Sequence, residues 1–239
     1  NYAAVKERMV FRADHAVIGD DDAWCREVIA NARALDRRVT TISAMTDEDV
    51  TFRGGHLYAR GSASPVADLT GVGTLRGDHN GQNAAAAFAT LALLGLPHAD
   101  IARHMRTYPG LPHRMEEVGR LGKVLFINDS KATNADSTEK ALASFDRDIY
   151  WILGGKAKDG GIAALSPYFP RIAKAYLIGE STETFAATLA GKIHFETSWT
   201  LERAVADATN DAQRARGTEP IVLLSPACAS YDQFKSFEH

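Results

Sequence analysis

Asp129, Lys131, Thr133 and Asn134 put an acid, a cation, a hydroxyl and an amide on one short stretch, residues 129–134. Before them lies the apolar run Val124-Leu125-Phe126-Ile127, and after them the helix signal Ser137-Thr138-Glu139. The pattern is strand, loop, helix start. In an open parallel sheet the loops at the carboxyl ends of the strands share one rim, where ligands sit. Those four side chains would then face one crevice. Asp, Ser, Thr and Asn also favour helix starts for local reasons, so the same stretch reads equally as a capping loop.

The neighbouring loops tip the balance. Beyond residue 110, apolar runs at 124–127, 149–153, 175–178, 193–195 and 221–224 alternate with helical patterns near 137–145, 162–168, 182–190 and 201–214. Such alternation predicts a doubly wound, mainly parallel α/β sheet with helices on both faces. The second run leads into Gly154-Gly155-Lys156-Ala157-Lys158-Asp159-Gly160-Gly161 and the last into Ser225-Pro226-Ala227-Cys228-Ala229-Ser230-Tyr231. Three polar or glycine-rich loops would therefore share the rim. Lys158 could serve a carboxylate or a phosphate, although surface lysines are usually just solvated. No Gly-x4-Gly-Lys-Ser/Thr pattern occurs in the chain, so the glycine loop is no nucleotide P-loop. Ser230 has no nucleophile-elbow context and no evident base, which excludes a serine hydrolase. Cys228 reads as a small buried hydrophobe.

In the first half, strands are expected at 16–18 and 39–42, a hairpin over 50–58, and a helix over 22–35. Asp20, Asp21 and Asp22 suit either a divalent metal or a helix N-terminus, which favours acids. Gly77-Asp78-His79-Asn80-Gly81-Gln82-Asn83 leads into an alanine-rich helix expected over 84–94. Asn80 and Asn83, three apart, share a face of its first turn. Each offers a donor and an acceptor, which suits a purine edge, with capping as the alternative. Pro109-Gly110-Leu111-Pro112 marks a domain boundary, giving units 1–109 and 110–239, with Arg114 at the hinge.

The bulk numbers narrow the class. With 27 Lys and Arg against 30 Asp and Glu, there is no general pull towards nucleic acid. Two cysteines make no disulfide framework, which suits a cytoplasmic protein. The longest apolar run, 84–94, falls short of the ~20 residues that span a bilayer, so no membrane insertion is expected. The chain starts at Asn1 in an uncapped helical pattern, as a fragment would.

Four motifs then carry a resemblance: Gly110-Leu111-Pro112-His113-Arg114-Met115-Glu116, Asn128-Asp129-Ser130-Lys131-Ala132-Thr133-Asn134, Leu153-Gly154-Gly155, and Ser225-Pro226-Ala227-Cys228-Ala229-Ser230-Tyr231-Asp232-Gln233-Phe234. Together they resemble the Mur ligases over the whole chain, and the last loop resembles the D-glutamate-adding branch. Tyr231 departs from the Leu or Phe common there. The resemblance implies the C-terminal part of a central ATP-binding domain over 1–109 and an amino-acid-binding, Rossmann-like domain over 110–239. The UDP-binding domain and P-loop would lie upstream, and this stretch alone would not catalyse.

The implied reaction is ATP-driven amide formation in peptidoglycan precursor synthesis. D-glutamate would be joined to UDP-N-acetylmuramoyl-L-alanine through an acyl phosphate, with ATP and magnesium as cofactors and a monomer as the working state. By resemblance Asn80, Asn83, Arg114 and Asp129 contact ATP. Lys131, Thr133, Lys158, Ser230, Tyr231 and Phe237 form the D-glutamate pocket, with Lys131 and Lys158 also catalytic. Lys6 matches a lysine carbamylated in the family that helps organise magnesium. A folylpolyglutamate-synthase-like ligase, a sister Mur ligase and a non-catalytic amino-acid or nucleotide-binding module are the rival readings.

Overall fold

The computed structural model describes residues 2–235. Phe237 therefore lies outside the described residues, as does Asn1. The chain forms two compact units, Asn1–Pro109 and Gly110–His239.

The first unit runs α1 (Tyr2–Arg12), β1 (His15–Gly19), α2 (Ala23–Ala34), β2 (Arg38–Ser43), β3 (Val50–Arg53), β4 (His56–Ala59), β5 (Ala67–Asp68), α3 (Asp78–Leu93) and α4 (His98–Met105). Its sheet order is β1-β2-β3-β4-β5, with β1 to β3 parallel and β4 and β5 antiparallel additions. The β3–β4 turn uses Gly54 and Gly55 at φ 57° and 84°, the left-handed geometry a two-residue hairpin requires. Helix α3 begins at Asp78, earlier than its alanine run suggests, because Gly77 (φ 87°) turns the chain into it. A side chain at Gly81 would strike the Phe52 ring, so glycine there lets α3 settle on β3 over a core of Phe52, Leu57, Ala85 and Phe88.

The second unit runs β6 (Glu116–Leu121), β7 (Val124–Asn128), α5 (Ala135–Ala143), β8 (Ile149–Gly154), β9 (Ile172–Ile178), α6 (Thr182–Leu189), β10 (Phe195–Trp199), α7 (Leu201–Arg214) and β11 (Ile221–Leu224). The sheet order is β10-β9-β8-β11-β7-β6, parallel throughout except for antiparallel β6 at the edge. Strand β8 shows how both faces are used. Ile149, Trp151 and Leu153 join the cluster containing Leu142 and Phe185 of α5 and α6. Tyr150 and Ile152 join the cluster containing Ala204, Ala208 and Ala212 of α7. Alternate residues point to opposite faces of a strand, so helices cover both sides. This is the expected doubly wound α/β architecture.

Two elements differ from the sequence expectation. Residues 162–168 do not form an α-helix; the segment Ala163–Arg171 is 3-10, and it contains Pro167 and Pro170, which lack the N–H an α-helix needs. The weak strand near 193–195 is displaced to Phe195–Trp199, where it pairs with β9 through a register shift.

Candidate functional site

Strands β7, β11 and β8 are neighbours and parallel, so their carboxyl ends open on the same edge of the second unit. The three loops are stitched together there by backbone bonds. Ala227 N–H donates to Ala132 O (2.9 Å), Gly154 N–H to Pro226 O (3.0 Å), and Lys156 and Ala229 exchange a pair (2.8 and 3.2 Å). Close approach requires glycine: a Cβ at Gly155 (φ 124°) would lie 2.5 Å from Ala229 O. The rim is thus one preformed surface rather than three independent loops.

Asp129 lies beneath this surface, 7% exposed. Its Oδ1 accepts the Met115 N–H (3.2 Å) and its Oδ2 the Ser225 hydroxyl (3.0 Å). Burial pushes its carboxyl up to about 6, against the lowering pull of those two bonds and of the Arg114 charge. Ser225, fully buried, also sits 3.1 Å from Thr138 Oγ1, and its carbonyl accepts the Trp151 indole N–H (2.9 Å). Of the loop's other polar residues, Lys131 is exposed and Thr133 half-buried, with Lys158 Nζ 3.5 Å from Thr133 Oγ1. Lys158 therefore meets Thr133 on the rim, on the loop that also carries Lys131. Asn134 is instead a helix cap, its side chain accepting the Ser137 N–H (2.8 Å), and there the capping alternative holds.

Ser230 borders a cavity of about 260 Å³ with His113, Ser130, Gly155, Asp232 and Phe234. Its carbonyl accepts the Gln233 and Phe234 N–H groups, a turn that holds its hydroxyl on the rim. Tyr231 beside it is 70% exposed. Cys228 is buried with Sγ 3.6 Å from Ser181 Oγ, and burial pushes its thiol up to about 11, so it carries no thiolate near neutral pH. Arg114 is exposed on a turn whose N–H returns to Leu111 O (3.2 Å).

In the first unit, Asn80 and Asn83 lie on one face of α3, but because the helix starts at Asp78 only Asn80 is in its first turn. The Asn80 amide donates to Arg76 O (2.9 Å), and Asn83 Nδ2 lies 3.5 Å from Asn80 Oδ1. Asn83 is the more exposed of the two. Two of the three acids have local work. Asp22 caps α2 through the Cys25 N–H (2.8 Å), which holds its carboxyl below the usual range. Asp21 accepts the Ala44 N–H (3.0 Å), the Ser43 hydroxyl and the Gln82 amide, tying the ends of β1 and β2 to α3. Among the described residues no group of three or more His, Cys, Asp or Glu is placed to hold a metal ion, and Lys6 is exposed on α1.

Sequence reasoning missed the partners more than the residues. Ser225 beneath Asp129 and Gln82 on Asp21 pair residues far apart in the chain, and Asn128 joins the local His113–Glu116 pair from another strand. For Glu116, His113 and Asn128 the motifs drew attention to the stretches without giving these side chains a task.

A doubly wound domain with polar loops at the carboxyl ends of its strands has the form of an α/β domain in which ligands sit on that rim. Residues 113–228 match the family described as Mur ligase, glutamate ligase domain. It is 53% identical over 242 residues to the UDP-N-acetylmuramoylalanine--D-glutamate ligase of Chelativorans sp. (strain BNC1), covering all of this chain and 52% of that protein. The similarly named protein of Nitrobacter winogradskyi is 50% identical over 245 residues, with the same coverage. The chain spans about half the length of the curated relatives it matches. Among solved structures, it superposes on MurF from Acinetobacter baumannii with a TM-score of 0.63 at 18% identity, covering 92% of this chain and 50% of that one. It superposes equally on a bifunctional folylpolyglutamate synthase/dihydrofolate synthase from Yersinia pestis, at 0.63 and 19% identity, covering 95% and 55%. Those two likenesses speak to the fold.

Proposed function

We propose that this chain serves an ATP-dependent ligase that joins D-glutamate to UDP-N-acetylmuramoyl-L-alanine, working as a cytoplasmic monomer in the synthesis of peptidoglycan precursors. The single observation that carries the reading is identity of 50% or more, along the whole chain, to proteins named for that reaction. The rim chemistry agrees with it. An amino-acid substrate with two carboxylates calls for fixed cations and hydroxyl donors; Lys131 and Thr133 share one rim loop, Lys158 reaches Thr133 from the glycine-rich loop, and Ser230 is on the loop after β11. Tyr231 and Phe237 would supply apolar walls.

In this reading ATP transfers its terminal phosphoryl group to the acceptor carboxylate. The D-glutamate amine then attacks the acyl carbon, phosphate departs, and the amine loses a proton. Negative charge grows on phosphoryl and tetrahedral oxygens, where preorganised cations contribute most. Arg114 and the two lysines fill that role, while Asn80 and Asn83 present amides to the adenine. Asp129 would accept a ribose hydroxyl on whichever lone pairs Met115 and Ser225 leave. Magnesium would enter with the nucleotide's phosphates, and Lys6 as a carbamate would help to hold it.

The test is D-glutamate-dependent phosphate release by the full-length gene product with ATP, magnesium and the UDP-linked acceptor, with L-glutamate as the control. Release with the D-isomer alone is expected, and Lys131→Ala should lower turnover by about 100-fold. Release with neither isomer would overturn the reading.

A further inference from the structure

Around Arg114 the backbone is held in an unfavourable shape. His113 and Met115, neither a glycine, adopt φ of 64° and 47°, a left-handed geometry that persists only where the surroundings impose it. The imposing groups are identifiable. Glu116 Oε2 accepts the His113 N–H at 2.8 Å and lies 3.2 Å from Asn128 Nδ2. The same Asn128 nitrogen is 3.0 Å from His113 Nδ1, and Asn128 Oδ1 accepts the Ser130 N–H at 3.1 Å. That last bond fixes the amide's orientation, since a flipped Asn128 would set a donor against a donor. His113 O then accepts the Lys131 N–H at 3.1 Å. A chain of bonds thus runs from one carboxylate, through His113 and Asn128, to the residues on either side of the rim: Arg114 next to His113, and Lys131 itself.

Glu116 sits at the first position of edge strand β6, opposite Asn128 at the last position of β7. Its backbone place is secured by strand pairing, so its side chain is free to act as a post for the turn. Asp129 grips the same turn from below, through the Met115 N–H.

We propose that Glu116 is a positioning residue: it holds the His113 turn in its left-handed form and thereby sets Arg114 and Lys131 in register for one ligand. The kinetic side of this inference rests on the ligase reading above; the structural side does not. Two measurements on the full-length protein test it. In amide hydrogen exchange, Glu116→Ala should raise exchange at His113 and Lys131 by about 10-fold or more, while Trp151 in the central strand stays protected. Glu116→Gln, which keeps one acceptor, should restore most of the protection. In phosphate release, Glu116→Ala should lower kcat/KM for ATP by about 10- to 100-fold, the effect of misplacing a charged group by an ångström or so. In an Arg114→Ala background it should cost at most a third as much. Unchanged exchange at both amides would overturn the proposal, and so would full additivity with Arg114→Ala. If the wild-type protein releases no phosphate, the ligase reading fails, and the exchange measurement alone still decides whether Glu116 holds the turn.

Discussion

Lys131 and Lys158 stand on neighbouring loops of the same rim, yet the two loops are built differently. The loop bearing Lys131 is bonded along its length: Asp129 N–H to Leu224 O, Lys131 N–H to His113 O, Ala132 N–H to Asp129 O, and Ala132 O to Ala227 N–H. The loop bearing Lys158 is bonded at its root, where Gly155 and Lys156 pair with Ile178, Ser181 and Ala229. It is anchored again at fully buried Ile162, and between these ends residues 157–160 are exposed, with a backbone bond at the tip, Gly161 N–H to Lys158 O. One cation is held by its frame, while the other is carried on a tip that can adjust. In the ligase proposed above, that pairing would give a fixed reference charge and an adaptable one.

The comparison breaks first if the root of the second loop is not rigid. Gly155→Ala forces a Cβ to within 2.5 Å of Ala229 O at a φ of 124°, so backbone and neighbour both resist. Strain of this kind costs about 3 kcal/mol or more. A urea titration of the variant should show that loss, with Lys158 displaced and activity abolished. A loss below about 1 kcal/mol would mean the loops are not stitched as described.

What the sequence could and could not disclose follows from the range of the interactions. Strands β7, β8 and β11 were legible because each is a continuous apolar run, the mark of a strand buried on both faces. Strand β6, Glu-Glu-Val-Gly-Arg-Leu, was not: five of its six residues are exposed, and only pairing with β7 makes it a strand. Residues 162–168 carry a helical apolar pattern, and the prolines of the same segment overrule it. The candidate site was legible as residue types on loops, since Asp129, Lys131 and Lys158 lie within a few residues of the ends of apolar runs. Asp129's burial was not, because it depends on Ser225, 96 positions away. Local rules do capture Asn134, whose cap lies three residues off.

A second prediction sharpens the claim that the first loop is held from below. The Asp129 carboxyl, ordinarily near 3.8, is pushed up to about 6 by burial. A carboxyl whose folded value is raised binds its proton more tightly in the folded state. Its stabilising contribution is therefore complete below the unfolded value near 3.8 and lost as pH rises through about 6. Between pH 4 and 6.5 the stability of the wild type should fall relative to Asp129→Asn by about 2 kcal/mol. Denaturant midpoints across that range check it, with other carboxylates cancelling in the difference. A flat difference would show that Asp129 is not buried as an acid beneath the rim.

The smallest expected effect concerns the tip of the second loop. At Gly160 φ is 88°, but an added Cβ would meet nothing within 4 Å, so only the backbone preference opposes Gly160→Ala. That preference is worth about 1 kcal/mol, and an exposed tip can relax part of it away. The variant should lose at most that much in a urea titration, far less than Gly155→Ala five residues earlier. Its functional signature should fall on the amino-acid side: a few-fold rise in KM for D-glutamate as Lys158 is re-aimed, with KM for ATP unchanged. Equal destabilisation by the two substitutions would mean that the tip is as tightly held as the root. Lys158 would then be a second fixed charge, and the division of labour between the two lysines would have to be abandoned.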